Sequence, residues 1–351
     1  SREAAFLWNY SGMNIGFFVG LTVSGYLQLQ NAYHALFLFA GIGNLFVLLL
    51  IAFKWNTLND INTAYSKLNK TKKYAVNLKG VICLIFLVLA LRVLLENSHI
   101  SNDLILLAGI LAATVIAYLA LKQPTPEENK KIWAYFILAI TSLVFWTLYQ
   151  LVPMGLTLFI ERNVNRNYLG ILIAPQWVQN INCIVIILGA PLLSVLFTWM
   201  RSRGVRVAIP IQFCIALLLI GFSMEILPIG IYFADAHGYV NFNWILFSYI
   251  LQSIGELFIS PIGYAMVGQL APIHLQGLLM GAWLMISGIA TTLSGYFSNM
   301  ALGSAQTTNP LMTNASYSHT FGLLGWIAIA TGILFLMFIP FVTRLTQEKL
   351  Q

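Results

Sequence analysis

Charge is what this sequence has least of. Only 8% of its 351 residues are Asp, Glu, Lys or Arg, whereas soluble domains carry about 25%. Hydrophobic residues make up 59%, against roughly 45–50% in soluble domains. So few charged groups cannot give the chain a hydrated surface, and the composition therefore excludes an ordinary soluble fold. It predicts an integral membrane protein.

Cysteine and histidine are also too sparse and scattered to build a site. The three cysteines, Cys83, Cys183 and Cys214, lie in apolar stretches and lack the CxxC spacing of metal or redox sites. No HxxxH pair occurs among the five histidines, and neither HExxH nor GxSxG is present. We therefore predict no catalytic residues, no metal site and no cofactor, and expect that the protein is not an enzyme.

Long uncharged runs recur along the whole chain. A helix needs about 20 apolar residues to cross a hydrocarbon core of ~30 Å, and ten stretches approach or exceed this length. We predict an all-α, polytopic fold with ten transmembrane helices. Their centres lie near residues 15, 43, 87, 112, 142, 187, 218, 254, 288 and 332.

Lysine and arginine are concentrated in alternate loops. If residue 2 starts inside, fifteen of the 18 basic residues fall on the cytoplasmic side, and only Arg162 and Arg166 fall outside. Short loops rich in these residues stay cytoplasmic, so both ends of the chain are predicted to face the cytoplasm. The net charge of +7 is thus a topology signal, and we expect no nucleic-acid partner.

Glu256 is the most isolated charge in the sequence. No other Asp, Glu, Lys or Arg occurs between Asp235 and Arg344. A carboxylate at the centre of a membrane helix costs about 2.5–3.5 kcal/mol on insertion scales, and such groups usually mark a functional site. The pattern points to transport across the membrane.

Helix faces give a second indication of a site. In the first span Gly12, Gly16 and Gly20 form a smooth stripe, which predicts a close neighbouring helix. Tyr10 and Asn14 share the opposite, polar face, and further intramembrane polar groups occur on other spans. Together they predict a shared wet cavity. Asn14 could instead only hydrogen-bond an adjacent helix.

Five motifs, in order, resemble the proton-dependent oligopeptide transporters of the major facilitator superfamily. The matching segments are Tyr10–Gly16, Phe145–Gln150, Gln179–Pro191, Gly255–Gly263 and Met280–Trp283. They are similar to signatures on the family's fifth, seventh, eighth, tenth and eleventh helices. The resemblance is strongest to the bacterial di- and tripeptide permeases.

This resemblance implies how the chain is divided. Residues 1–54 would form the last two helices of the N-terminal bundle, and residues 55–131 a loop and an inserted two-helix hairpin. Residues 132–351 would form the complete C-terminal six-helix bundle. The family's first four helices have no counterpart here, so the chain looks like a fragment, and transport would require those helices.

The resemblance also implies a proton-coupled symporter that imports di- and tripeptides across the bacterial inner membrane by alternating access. The peptide ammonium would be held by a buried carboxylate and two asparagines, with protons as the coupling ion. The substrate-binding residues would be Tyr10, Asn14, Trp146, Gln150, Asn182, Glu256, Ser260 and Trp283. Beyond peptides and the lipid bilayer no partner is implied, and a monomer is expected. An exporter of drugs or metabolites on the same fold, or a non-transporting membrane fragment, stays open.

Overall fold

Long helices make up nearly all of the described chain. The computed structural model describes residues 2–58, 65–205, 207–303 and 308–346, with side chains from residue 12 onward. The helices are α1 (Arg2–Leu29), α2 (Tyr33–Phe53), α3 (Lys70–Glu96), α4 (Ser98–Leu121), α5 (Pro126–Gln150), α6 (Thr157–Asn163), α7 (Gln179–Ser202), α8 (Ile209–Tyr232), α9 (Phe242–Leu270), α10 (Gln276–Leu302) and α11 (Pro310–Thr346). Each of the ten predicted centres falls inside a long helix, so the predicted all-α fold is confirmed.

Nine helical segments within the described residues are long and apolar enough to cross a bilayer. They are α2, α3, α4, α5 continued by α6, and α7 to α11. The tenth predicted span is α1. The chain is therefore a polytopic membrane protein, as its composition indicates.

The helices form two compact units. One consists of residues 27–105. Within it α2 and α3 bury none of their side chains. At the start of α3, the Asn69 side chain accepts a hydrogen bond from the N–H of Lys72 at 3.3 Å and caps the helix.

The other unit consists of residues 1–26 and 106–351. In this unit α8 packs against α9 and α11, and α5 packs against α10. Gly221 of α8 lies directly against the backbone of α11, and a side chain there would collide with Ile329 and Gly325. Small residues allow such close backbone approach in membrane proteins. The buried core of the unit lies among these helices.

The span centred near residue 142 is not one continuous α-helix. Thr125 caps its start by accepting from the N–H of Glu128 at 3.3 Å, but the helix widens at Leu151. There the N–H of Leu156 donates to the Leu151 carbonyl at 3.1 Å, five residues earlier, in a π-helical turn. Pro153 in this turn has no N–H to continue the α-helical ladder. Such π turns often occur at functional sites.

Two features of the chain differ from the sequence-based expectations. Two short strand pairs lie outside the helices: β1 (Val164–Asn165) pairs in parallel with β4 (Val240–Asn241), and β2 (Asn167–Tyr168) pairs antiparallel with β3 (Ile171–Leu172). The stripe of Gly12, Gly16 and Gly20 packs against nothing in the described part of the chain, because a Cβ at these positions would have no heavy atom within 4 Å.

Candidate functional site

A cavity of about 340 Å³ lies among α1, α5, α7, α9 and the π-helical turn. Its walls contain both aromatic and polar side chains. The lining residues are Met13, Asn14, Phe17, Leu21, Tyr149, Gln150, Val152, Pro153, Gln179, Asn182, Cys183, Tyr249, Gln252, Glu256 and Ser260. Glu256 is the single Asp, Glu, Lys or Arg among the described residues that line it.

Glu256 is held in place by a neighbouring helix. Its side chain is 6% exposed, and its Oε2 accepts a hydrogen bond from Nδ2 of Asn182 at 2.7 Å. The same nitrogen donates to Oγ of Ser253 at 3.0 Å, one turn before Glu256 on α9. Both amide hydrogens of Asn182 are thereby engaged, and its Oδ1 is the group left to accept a bond.

Asn182 lies in the first turn of α7, which is preceded by a short 3-10 turn, Pro175–Val178. Pro175 begins that turn, where its missing N–H costs no hydrogen bond. The turn fixes how the chain enters α7. It thereby sets the direction in which Asn182 meets α9.

Asn14 reaches the same cavity from α1 and is 6% exposed. Two contacts near Thr22, two turns further along α1, attach this helix to the start of α7. The indole Nε1 of Trp177 donates to the Thr22 carbonyl at 2.9 Å, and Nδ2 of Asn180 donates to its Oγ1 at 2.9 Å. Gly25 leaves room for the Trp177 indole. These contacts position the helix that carries Asn14.

Gln150 and Ser260 also line the cavity. Gln150 is the last residue of α5, and its Nε2 donates to Oγ of Ser287 on α10 at 3.2 Å. Ser260 lies one turn after Glu256 on α9, so both side chains are on the same helix face. The structure therefore brings together five of the eight predicted site residues: Asn14, Gln150, Asn182, Glu256 and Ser260.

The two predicted tryptophans are not brought to this cavity. Trp146 makes edge-to-face contacts with Phe145 and Tyr149, at centroid distances of 5.4 Å each. Trp283 is 5% exposed and lies against Gly263, where a Cβ would collide with the indole. Their predicted contact with substrate stays a prediction. The Tyr10 side chain lies outside the described residues.

Several lining residues are not among those that the sequence motifs predict. Gln252 and Tyr249 lie one and two turns before Glu256 on α9, and Phe17 and Leu21 lie one and two turns after Asn14 on α1. Helical spacing from Asn14 and Glu256 could have predicted all four.

Within the described residues, no three His, Cys, Asp or Glu side chains come together as metal ligands.

Sequence comparison relates the chain to known transporters. A sequence profile of the POT family matches residues 1–334. Dipeptide and tripeptide permease A of Cronobacter turicensis is 32% identical over 99% of this chain, and the match covers 68% of that protein. Dipeptide and tripeptide permease B of Photorhabdus luminescens is 29% identical, with 99% of this chain and 71% of the relative covered.

Solved structures show the same fold. A peptide transporter POT in complex with sulfate superposes with a TM-score of 0.80 at 23% identity, covering 98% of this chain and 69% of that one. A POT family transporter in complex with a thioalcohol conjugated peptide gives a TM-score of 0.78 at 23% identity, covering 97% and 70%. The family profile matches almost the whole length of this chain. The chain therefore belongs to the POT family, the proton-dependent oligopeptide transporters whose motifs it carries.

Proposed function

We propose that this protein imports di- and tripeptides together with protons, by alternating access across the bacterial inner membrane. The observation that carries the proposal is the contact between Asn182 and Glu256, 2.7 Å from nitrogen to oxygen, in a cavity that Asn14 also lines. A carboxylate and two amide side chains thus converge from α9, α7 and α1 on one site.

This set of groups suits a primary ammonium. An ammonium has three N–H donors and no acceptor, whereas an ionised carboxylate and amide oxygens are acceptors. Hydrogen bonds between charged partners are about twice as strong as neutral ones. Glu256 would supply the charge, and the Oδ1 atoms of Asn14 and Asn182 would accept the remaining donors. A peptide's amino terminus therefore fits the site.

The size of the cavity agrees with a small substrate. Its 340 Å³ falls within the range of about 300–1,000 Å³ that is usual for small-molecule sites. The relatives described above are named dipeptide and tripeptide permeases, and a structure with the same fold holds a thioalcohol conjugated peptide. These names support peptides as the substrate class.

Proton coupling would supply the energy for uptake. One elementary charge that moves down a potential of 100 mV releases about 2.3 kcal/mol. At about 1.4 kcal/mol per tenfold change in concentration, this supports roughly fifty-fold accumulation. Protons would be the coupling ion, and we expect no bound cofactor.

The distribution of basic residues supports an arrangement with both chain ends in the cytoplasm, because fifteen of 18 lysines and arginines then lie inside. We expect a monomer to be the transporting unit. Trp146 and Trp283 would border the side-chain pockets of the substrate, and Tyr10 would contact it from α1.

Uptake of radiolabelled dialanine into proteoliposomes tests the proposal, with the protein expressed from its complete reading frame. We expect accumulation above the external concentration when an inward proton gradient is imposed, and its loss when an uncoupler collapses the gradient. Accumulation that survives the uncoupler would contradict proton coupling. Counterflow with dialanine and with hydrophobic cations tests the substrate class, since a drug exporter would exchange only the cations.

A further inference from the structure

Gln252 is a buried polar residue that has no role in the proposed binding of the ammonium by Glu256, Asn14 and Asn182. It lies on α9 one turn before Glu256, is 2% exposed, and lines the same cavity. Its Nε2 has no hydrogen-bond partner among the described residues. A buried donor left without an acceptor costs about 1–3 kcal/mol, and a ligand in the cavity that Gln252 lines can supply the acceptor once the amide turns toward it.

One turn before Gln252 on α9, a second buried polar group lacks a hydrogen-bond partner among the described residues. Tyr249 is 1% exposed and lines the cavity, and within the described part of the chain its hydroxyl has no hydrogen-bond partner either. Ser253, next to Gln252, is satisfied: its Oγ accepts from Asn182 at 3.0 Å and donates to the Tyr249 carbonyl at 2.7 Å. Both unsatisfied groups on this part of α9 thus belong to residues that line the cavity.

The spacing along α9 fits a peptide held at Glu256. Four residues of α-helix rise about 6 Å, which separates the backbone positions of Gln252 and Glu256. One extended residue of a peptide spans about 3.3–3.6 Å. In a peptide that extends from Glu256 toward the start of α9, the first carbonyl beyond the ammonium would lie between the two side chains, where the Gln252 amide can reach it.

We propose that Gln252 is a specificity-determining residue, whose Nε2 donates to the carbonyl oxygen of the first peptide bond of the substrate. The inference rests on the proposed function and deepens it, because it explains how a peptide is distinguished from another primary amine. Glu256 recognises any ammonium. A site built to hydrogen-bond a substrate group disfavours analogues that lack it, since its buried polar group is then left unpaired. Amines without this carbonyl are therefore bound less well.

The test compares two ligands and three forms of the protein. The ligands are dialanine and its (E)-alkene isostere, in which a carbon–carbon double bond replaces the amide and removes both its carbonyl and its N–H. The proteins are wild type, Gln252→Met, which keeps the side-chain length without the donor, and the control Gln212→Met. Gln212 is also buried, but it lies on α8 outside the cavity, and its Nε2 donates to the Val207 carbonyl. Affinities come from competition against radiolabelled dialanine uptake in proteoliposomes.

In wild type we expect dialanine to bind roughly threefold to tenfold more tightly than the isostere, the value of one neutral hydrogen bond. Gln252→Met should weaken dialanine binding by the same factor and leave binding of the isostere unchanged, so that the preference falls by this factor. Gln212→Met should keep the preference. If Gln252→Met does not fold, Gln252→Asn takes its place, because the shorter amide should also reduce the preference.

The outcomes separate the two proposals. Dialanine uptake with an unchanged preference in the Gln252 variant would overturn the role of Gln252 alone, and so would equal affinities of the two ligands in wild type. Absence of dialanine binding to wild type would overturn the proposed function, and with it this inference.

Discussion

Asn182 on α7 and Glu256 on α9 are joined by a 2.7 Å hydrogen bond from Nδ2 to Oε2. Because Asn182 also donates to Ser253, its amide is fixed in one orientation. The carboxylate is thereby aligned beside the cavity before any substrate arrives. A preorganised site of this kind loses less free energy on binding than one that must first be ordered.

The charge of Glu256 should be essential for uptake. Glu256→Gln keeps the size of the side chain but replaces an anionic acceptor with a neutral amide, so the ammonium loses its counter-charge. We expect dialanine uptake to fall to background with normal insertion and yield. Glu225→Gln is the matched control, because Glu225 is an acidic residue of α8 that does not line the cavity. Unchanged uptake kinetics in Glu256→Gln would remove this residue from the site.

Asn182 should matter more than the serine it also contacts. Asn182→Leu removes the bond to Glu256, and hydrogen bonds to charged groups contribute about 1.5–3 kcal/mol. We expect the affinity for dialanine to fall roughly tenfold to a hundredfold.

Ser253→Ala leaves the contact between Asn182 and Glu256 in place and removes only neutral bonds, those with Asn182 and the Tyr249 carbonyl, so we expect a loss of at most about tenfold. Competition assays in proteoliposomes measure both variants. An equal or larger loss in Ser253→Ala would show that the contact with Glu256 is not what makes Asn182 important.

Gly263 should tolerate no side chain. A Cβ at this position would collide with the indole of Trp283 on α10, and overpacking a core typically costs about 1–3 kcal/mol. We therefore expect Gly263→Val to lower the melting temperature of the protein in detergent. Gly268→Val on the same helix is the control, since a Cβ there meets no heavy atom within 4 Å. Equal melting temperatures for the two variants would contradict the packing described here.

A buried polar cluster should stabilise one end of the helical unit. Nδ2 of Asn163 donates to Oγ1 of Thr313 at 2.7 Å and to Oδ1 of Asn314 at 2.9 Å, and Nδ2 of Asn314 donates to the Gly238 carbonyl at 2.7 Å. Asn163→Ala leaves buried partners unsatisfied, at a cost of about 1–3 kcal/mol.

The melting temperature of Asn163→Ala should accordingly fall clearly below that of Asn167→Ala, a control at an exposed position of β2. A variant as stable as wild type would show that the cluster contributes little.

Asn314-Ala-Ser316 matches the N-glycosylation sequon. Because Asn314 is only 8% exposed and is held in this cluster, it is a poor glycosylation acceptor in the folded protein.

The sequence predicted those features that depend on composition along a single helix. The isolation of Glu256 in an apolar stretch singled out the charged residue that lines the cavity, and the long uncharged runs located the ten helices. Both follow from the cost of placing charge in hydrocarbon. The meeting of Asn14, Asn182 and Glu256 was implied only by family resemblance, because nothing in one helix indicates which partner it faces.

The remaining features depend on contacts between helices. The sequence alone does not indicate that the indole of Trp283 on α10 packs against Gly263 on α9. Nothing in the sequence indicates that Gln252 is buried or that its amide nitrogen has no hydrogen-bond partner among the described residues. The strand pair β1 and β4 joins segments far apart in sequence, and two-residue strands carry no periodic pattern that could predict it.

The π-helical turn after α5 has a consequence for how this segment can vary. Because the bond from Leu156 to Leu151 encloses one residue more than an α-helical turn, every side chain of α6 is rotated by about 100° relative to an uninterrupted helix. Deleting a single residue between positions 152 and 156 would restore the regular ladder, yet it would turn Phe159 and Ile160 out of their buried positions. Substitutions in this short stretch should therefore be tolerated more easily than insertions or deletions.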